Sequence, residues 1–454
     1  MTAEVIVDIA HSEVDKIFEY RSIEGVREGS RVKVPFGNTA VDGYVMRLKE
    51  GSDFDPAKLK SIAKVVDHAL TKECLALAKR ISERYRCPMA LTLRLFLPAE
   101  MRRGAAHELY KNVVTFVQDT DIPARAKAQR AAYDYLKAHS PSDYTALCKQ
   151  FGTAAVNALI GRGAAARTKE RVNRSPYTQM EGNAPARTLT PAQEAAVQRI
   201  RGAAQTVQLL HGVTGSGKTE IYLTLIAAAL KEGKSAVFLV PEISLTPQML
   251  SQLRARFGPQ AAILHSGLSA GEKFDEWQRL RRGEAKIAIG ARSAVFAPVE
   301  NVGVIILDEE HDGSYASETN PRYNTAEIAE LRARYNGCKL VLGSATPSVE
   351  TYLKAREGEY NLIELPERIN KRPLPEIVVA DMRREVRRGN ASAFSAALRE
   401  ELEACLAGGR QAIIFLNRRG FAQSVVCREC GEVVKCAQCD VSLTYHSEEN
   451  CLKC

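Results

Sequence analysis

No run of apolar residues in this 454-residue chain is long enough to cross a bilayer. The longest stretches, such as LTLIAAAL at 223–230, stop well short of the roughly 18 residues a span needs. The opening MTAEVIVDIAHSEVDK carries acids and a histidine where a secretory leader would place its apolar segment, so no leader is expected. Internal repeats and low-complexity tracts are also lacking. These absences point to the cytoplasm, with no membrane partner, where thiols stay free or bind metal rather than pair as disulfides.

What is present is a chain of about three ordinary domains by length, with an apolar content of 45% that lets each bury a core. A net charge of +9 suits a polyanionic partner and equally suits a mildly basic enzyme. Charge alone leaves both open.

Residues 1–105 begin with short β-branched runs (AEVIVDIA, SRVKVPFG, DGYVMRL) broken by turn residues, which predicts a small β-rich domain closed by a helix over LTKECLALAKRISERYRC. Residues 108–172 read mainly as helices, AQRAAYDYLKAHS, DYTALCKQFG and TAAVNALIGRG, at winged-helix size and spacing. Residues 173–187 are polar, charged and marked by Pro and Gly, a linker. From 188 to 365, short apolar runs (VQLLH, AVFLVP, AAILH, KIAIG, VGVIILD, KLVLG) alternate with helical segments, the pattern of an α/β lobe on a parallel sheet. Residues 366–425 read as a linker and the start of a second lobe, with QAIIFLN as its first strand. Residues 426–454 are a cysteine-rich module.

Between VQLLH and a helical run lies Gly212-Val213-Thr214-Gly215-Ser216-Gly217-Lys218-Thr219, a phosphate loop in its proper strand–loop–helix context. Glycines turn backbone N–H groups onto phosphate oxygens, and the helix N-terminus adds a favourable dipole. Lys218 is expected at the β- and γ-phosphates of ATP, with Thr219 on Mg²⁺. VGVIILDEEHD delivers Asp308 and Glu309 at the end of a strand, Asp308 to support Mg²⁺ and Glu309 to orient or deprotonate the attacking water. GSATPS offers Ser344 and Thr346 as a link from the nucleotide to a bound strand, and Gln193 in LTPAQEAAV is a candidate for an adenine edge. Taken singly, a Ser/Thr turn and a helix cap explain these last two as well.

In this order the motifs resemble a superfamily 2 helicase. LVPEISLTPQM, LHSGLSAGEKFDEWQRLRRGEAKIAIGARSAVFAP, LDEEHDGSY and FLNRRGFA resemble the PriA family of primosomal replication-restart helicases (primosomal protein N′), over the whole chain. The resemblance implies a RecA-like first lobe and an ATP-dependent 3′→5′ DNA helicase that recognises abandoned forks and promotes primosome assembly. It implies forked DNA, single strands and 3′ ends, primosome and helicase-loading proteins, and single-stranded-DNA-binding protein as partners. It assigns Phe18, Glu19, Tyr20, Gly37 and Lys60 to a 3′-terminal nucleotide, although the family's usual aspartate is here Glu19. It makes Arg292 and Tyr323, with Tyr315 and Arg322 nearby, candidate strand contacts, while Ala316-Ser317 and Asn324-Thr325-Ala326 replace the family's usual Lys-Gln and His-Ala-Arg.

Cys427-x2-Cys430-x5-Cys436-x2-Cys439 has zinc-ligand spacing, and no thioredoxin-like setting favours a redox role. The resemblance implies two zinc ions in a full-length protein. Cys436, Cys439 and Cys454 would share one; Cys427 and Cys430 would share the other with a later pair, and Cys451 is not a ligand. A chain cut within its zinc module is thus expected, lacking the arginines that complete hydrolysis and therefore a poor ATPase. A fork-binding scaffold in which hydrolysis is dispensable is the competing reading; a nuclease-associated translocase would need a carboxylate cluster, and none is present. Cys74, Cys87, Cys148, Cys338 and Cys405 read as core thiols.

Overall fold

The computed structural model describes the chain except residues 53, 56–57, 103, 105–106, 124, 175–186, 245, 372, 374, 391, 416–424, 426, 428–429, 431 and 447–449. Residues Met1–Lys371 and Arg372–Cys454 form two separate units.

The first unit opens with β1 (Thr2–Val7), β2 (Ile17–Arg21), β3 (Arg31–Phe36), β4 (Thr39–Lys49) and β5 (Lys64–Asp67). They form an antiparallel sheet in the order β2-β1-β4-β3-β5. Alternation assigns the two faces. Ala3, Val5, Val7, Val32, Val34 and Val45 pack in one small core, while Ile6 and Tyr44 belong to a large core shared by the following helices and the α/β lobe. Helices α1 (Lys72–Tyr85), α2 (Met89–Leu95) and the single turn α3 (Ala99–Arg102) follow. Thr71 caps α1 by accepting from Cys74 N, and Arg86, at φ +49°, ends it.

A winged-helix body comes next: β6 (Leu109–Phe116), α4 (Lys127–Ala138), β7 (Ser142–Asp143), α5 (Tyr144–Phe151), α6 (Thr153–Gly161) and β8 (Ala165–Val172), with strand order β7-β6-β8 and its own core around Leu136, Val156 and Leu159. Just beyond it, at the start of the expected linker, Arg174 grips Asp275 through Nε and Nη2, each at 2.8 Å.

The α/β lobe comprises α7 (Pro191–Gly202), β9 (Val207–Gly212), α8 (Lys218–Lys231), β10 (Ser235–Leu239), α9 (Pro247–Phe257), β11 (Ala261–Leu264), α10 (Ala270–Arg281), β12 (Ile287–Gly290), β13 (Val302–Asp308), α11 (Thr325–Asn336), β14 (Lys339–Ser344), α12 (Val349–Arg356) and β15 (Asn361–Leu365). All seven strands are parallel, in the order β11-β12-β10-β13-β14-β9-β15. Both faces are covered, which is why the strands read as unbroken apolar runs. Leu209, Ile305, Leu307, Leu340 and Leu342 enter one core, and Leu210, Val304, Ile306 and Val341 enter the other. Strand β15 is outside the sequence expectation, because NLIEL sits at a sheet edge and its apolar run is broken by Glu364.

The second unit holds α13 (Met382–Arg387), α14 (Ala396–Ala407) and the hairpin of β16 (Thr444–His446) with β17 (Cys451–Lys453). Residues 411–415 of the expected strand QAIIFLN are not in strand conformation, and Ile413, Ile414 and Phe415 are exposed. A strand persists only by pairing, and among the described residues nothing pairs with this run. The remainder of that run lies outside the described residues.

Candidate nucleotide site and DNA contacts

Strand β9 ends at Gly212, and the next five residues loop back to start α8 at Lys218. Gly217, at φ +80°, has to be glycine: a Cβ there would stand 2.3 Å from Gln193 Nε2 and 2.5 Å from Ile369 Cδ1. Lys218 is buried and donates from Nζ to Gly212 O at 2.9 Å. The buried Ser216 hydroxyl has no hydrogen-bond partner among the described residues. Val213 and Thr219 are half-buried, and Thr214 and Gly215 are exposed.

Gln193 takes the helix-cap role, the alternative to an adenine contact. Its carboxamide donates to Ser216 O at 3.2 Å and accepts from Thr190 N at 2.9 Å, closing a capping box on α7. Only 3% exposed, it braces the phosphate loop and offers no free edge to a base. Its donors are spent on loop carbonyls, which a base would have to displace.

Asp308 terminates β13, one strand removed from β9: β14 pairs Gly343 with Asp308 on one side and Ser344 with His211 on the other. Parallel strands leave the sheet at the same edge, so the phosphate loop and the acids meet there. Tyr222, one helical turn beyond Lys218 and fully buried, donates to Asp308 Oδ1 at 2.9 Å. Tyr315 donates to Asp308 O at 2.8 Å. Burial raises the Asp308 carboxyl above the ordinary range, with Glu309 adding to the rise; the Tyr222 hydrogen bond and the Lys218 charge oppose it.

Glu309 turns the chain at φ +48°, a left-handed conformation that non-glycine residues rarely adopt. It stays 37% exposed while the next residue plunges inward. Glu310 accepts from Ser348 N at 2.7 Å and Thr351 Oγ1 at 3.1 Å, fixing the start of α12. His311 Nδ1 lies 2.8 Å from Ser344 Oγ, and its Nε2 lies 3.4 Å from Thr346 Oγ1. The string Asp-Glu-Glu-His is therefore tied to the GSATPS turn at two points.

Of the expected strand contacts, Tyr323 is internal and Arg292 is engaged with a loop carbonyl. Tyr323 is 5% exposed and packs edge-on against Phe296, ring centroids 5.0 Å apart. A ring held on its edge in the core presents no face for a base. Arg292 donates from Nη1 to Ala316 O at 2.7 Å, holding the loop that follows the acids, and remains half-exposed. Arg322 is exposed.

In the N-terminal sheet, Phe18 and Tyr20 share one face of β2. Tyr20 is 4% exposed with its hydroxyl on Pro35 O at 3.2 Å, so it is a core residue and not a stacking platform. Phe18 is half-buried against Phe36, centroids 5.2 Å apart. Glu19 faces the other way and holds Lys49 Nζ at 2.6 Å and Ser52 Oγ at 2.5 Å. Gly37, at φ +57°, has open space around its Cβ position, and the Lys60 side chain is exposed while its carbonyl accepts from Arg21 N at 2.9 Å.

The N-terminal helices are fused to the lobe. Arg332 on α11, 3% exposed, donates to Glu73 on α1 at 2.8 Å and to Val295 O and Val299 O at 2.7 and 2.9 Å. Tyr85 on α1 donates to Glu327 Oε2 at 2.7 Å and accepts from Asn324 N at 3.1 Å, at the end of the loop that starts with the acids. These contacts have no motif behind them; only the fold brings α1 to α11. Tyr222, by contrast, has a signal, its four-residue spacing from Lys218 on one helix face.

In the second unit, the sulfurs of Cys436, Cys439 and Cys454 lie within 4.8 Å of one another. Cys427 and Cys430 are not part of this group. Backbone N–H groups of Gln438 and Cys439 bring the Cys436 thiol down to about 7. Three converging sulfurs, one near thiolate at neutral pH, suit a soft tetrahedral ion such as zinc. Of the other cysteines, Cys74, Cys87 and Cys338 are buried and Cys148 and Cys405 half-buried.

A parallel α/β lobe that joins a phosphate loop to an acidic strand end, fused to a β-rich N-terminal domain, defines a P-loop motor of the helicase class. Sequence comparison agrees: residues 190–355 match the DEAD/DEAH box helicase family, and residues 4–98 match the 3'DNA-binding domain (3'BD) family. Replication restart protein PriA of Bacillus subtilis (strain 168) is 38% identical across all of this chain and 66% of its own length. The PriA proteins of Synechocystis sp. and Haemophilus influenzae are 48% and 35% identical, over 57% and 97% of this chain and 32% and 62% of their own lengths. The chain belongs to the PriA replication-restart family and spans up to 66% of the length of these relatives. Among solved structures, the Pyrococcus furiosus Hef helicase domain aligns over 48% of this chain and 46% of its own at 20% identity, with a TM-score of 0.31, too low to add to the fold described above.

Proposed function

We propose that the whole protein is an ATP-dependent 3′→5′ DNA helicase that recognises stalled or abandoned forks and restarts replication in the cytoplasm. The observation that carries this reading is the meeting of Lys218 and Asp308 at one sheet edge, locked through Tyr222. Lys218 would exchange its Gly212 carbonyl for phosphate oxygens, and Ser216 and the loop amides would add donors. Thr219 and Asp308 offer the hard oxygen ligands a magnesium ion takes, and that ion would neutralise charge on the phosphates. Glu309, half-exposed beside them, would hold the attacking water and accept its proton.

The N-terminal sheet would hold a 3′ end through Phe18, the backbone near Gly37, and Lys60, with Glu19 accepting from the terminal hydroxyl on release of Ser52. Arg292 would reach a single strand from its place beside the acid loop. Forked DNA, primosome proteins and single-stranded-DNA-binding protein are the proposed partners. Zinc at Cys436, Cys439 and Cys454, and a second ion at Cys427 and Cys430, would fix the cysteine-rich module.

Strand displacement by the whole protein, on duplexes with a 3′ or a 5′ single-stranded tail, tests the reading. Unwinding from the 3′ tail alone, abolished by Lys218→Ala, is expected; equal unwinding from both tails refutes the polarity. Fork restart that survives Lys218→Ala after unwinding is lost would favour the scaffold role.

A further inference from the structure

Beyond Leu365 the chain is laid along the phosphate loop. Val213 N donates to Leu365 O at 3.1 Å, Ile369 N to Gly215 O at 3.0 Å, and Lys371 N to Arg368 O at 3.0 Å. These backbone bonds anchor Arg368 beside the loop whatever its side chain does. A Cβ on Gly215 would lie 3.8 and 3.9 Å from Arg368 Cγ and Cδ, ordinary contact distances, so the stem rests against the loop. Arg368 Nε is buried and has no hydrogen-bond partner among the described residues. The residue as a whole is half-buried, and no described carboxylate pairs with its guanidinium, unlike those of Arg332 and Arg279.

We propose that Arg368 is a nucleotide-binding residue supplied from outside the phosphate-loop and acid motifs, its guanidinium contacting the polyphosphate of a bound nucleoside triphosphate. The inference rests on the nucleotide reading above. A buried donor without a partner is costly, and an anion on the loop would relieve that cost. Guanidinium is also the side-chain group best matched to paired phosphate oxygens. The tether matters as much as the charge. Because Leu365 and Ile369 are bonded to the loop's own backbone, the arginine is placed before any nucleotide arrives, and little ordering remains at binding.

The test is titration of the 454-residue chain with a fluorescent ATP analogue and magnesium, competed by ATP and, separately, by inorganic tripolyphosphate. Arg368→Gln should weaken both competitors by about tenfold, the size of one lost charge-assisted hydrogen bond. Arg368→Lys, which keeps stem and charge, should recover much of that loss. Unchanged affinity in Arg368→Gln overturns the proposal, and so does a loss for ATP that spares tripolyphosphate, because that outcome means a base contact. Lys218→Ala separates the two readings: if it abolishes binding while Arg368→Gln leaves affinity unchanged, only the Arg368 assignment falls; if the unaltered chain binds no nucleotide, both fall. Should Arg368→Gln fail to fold, Arg368→Met against Arg368→Lys decides on the same criteria.

Discussion

The Tyr222 hydroxyl donates to Asp308 Oδ1 at 2.9 Å, across the gap between the phosphate-loop helix and the acidic strand end. The bond is partly buried and joins the two halves of the nucleotide site before any ligand is present.

Tyr222→Phe removes a bond that favours the charged carboxylate, so the Asp308 carboxyl should rise further. The expected loss of stability is about 1 kcal/mol, with ATPase turnover in the whole protein falling and ADP affinity nearly kept. Gly343→Ala should be far worse, because its Cβ would sit 1.7 Å from the Tyr222 hydroxyl. Urea unfolding of both variants checks the order.

Asp308→Asn should stabilise the chain while ending hydrolysis. Burial raises the folded-state value of this carboxyl. Its charge therefore costs nothing below the unfolded value, and the penalty grows as pH rises through the raised folded one. The variant's Tm advantage should be present at neutral pH and vanish in acid. An advantage independent of pH would contradict the assignment.

Glu73→Ala strands the Arg332 guanidinium in the core between α1 and α11. Breaking such a buried pair costs about 3–5 kcal/mol, so the N-terminal domain should loosen from the lobe and become sensitive to limited proteolysis. An exposed pair such as Arg84 with Glu327 should contribute under about 1 kcal/mol by the same denaturation measurement.

Tyr323→Ala and Tyr20→Ala should act on stability, by about 3–5 kcal/mol for emptying a core site, with any DNA defect following from that. Phe18→Ala should do the reverse. Fluorescence anisotropy with a 3′-hydroxyl and a 3′-phosphate oligonucleotide, read beside Tm, separates the two groups.

Cys436→Ser, Cys439→Ser and Cys454→Ser should each release zinc that the unaltered chain retains, as measured by metal analysis after dialysis. Because ligation requires thiolates, protons compete with the metal and retention should weaken as pH falls.

Local chemistry was legible without coordinates. Gly-x4-Gly-Lys-Thr between an apolar strand and a helix, Asp308 closing VGVIILD, and a CxxC pair all carry their own short-range geometry, and six of the seven lobe strands showed as continuous apolar runs. Strand β15 did not, since an edge strand needs an apolar face on one side only. Tyr20 and Tyr323 differ from expectation for one reason: an aromatic beside a functional motif looks the same in sequence whether it faces solvent or the core.

By itself, then, the amino-acid order determined the phosphate loop, the acidic strand end, the parallel lobe and the family, because each depends on residues a few positions apart. Only the tertiary structure decided that Tyr222 joins the two halves of the site, that Glu73 and Arg332 weld α1 to the lobe, and that the segment from Leu365 to Ile369 lies along the phosphate loop. Those contacts link residues far apart in the chain, and the partners are chosen by strand order and core packing, which no local pattern encodes.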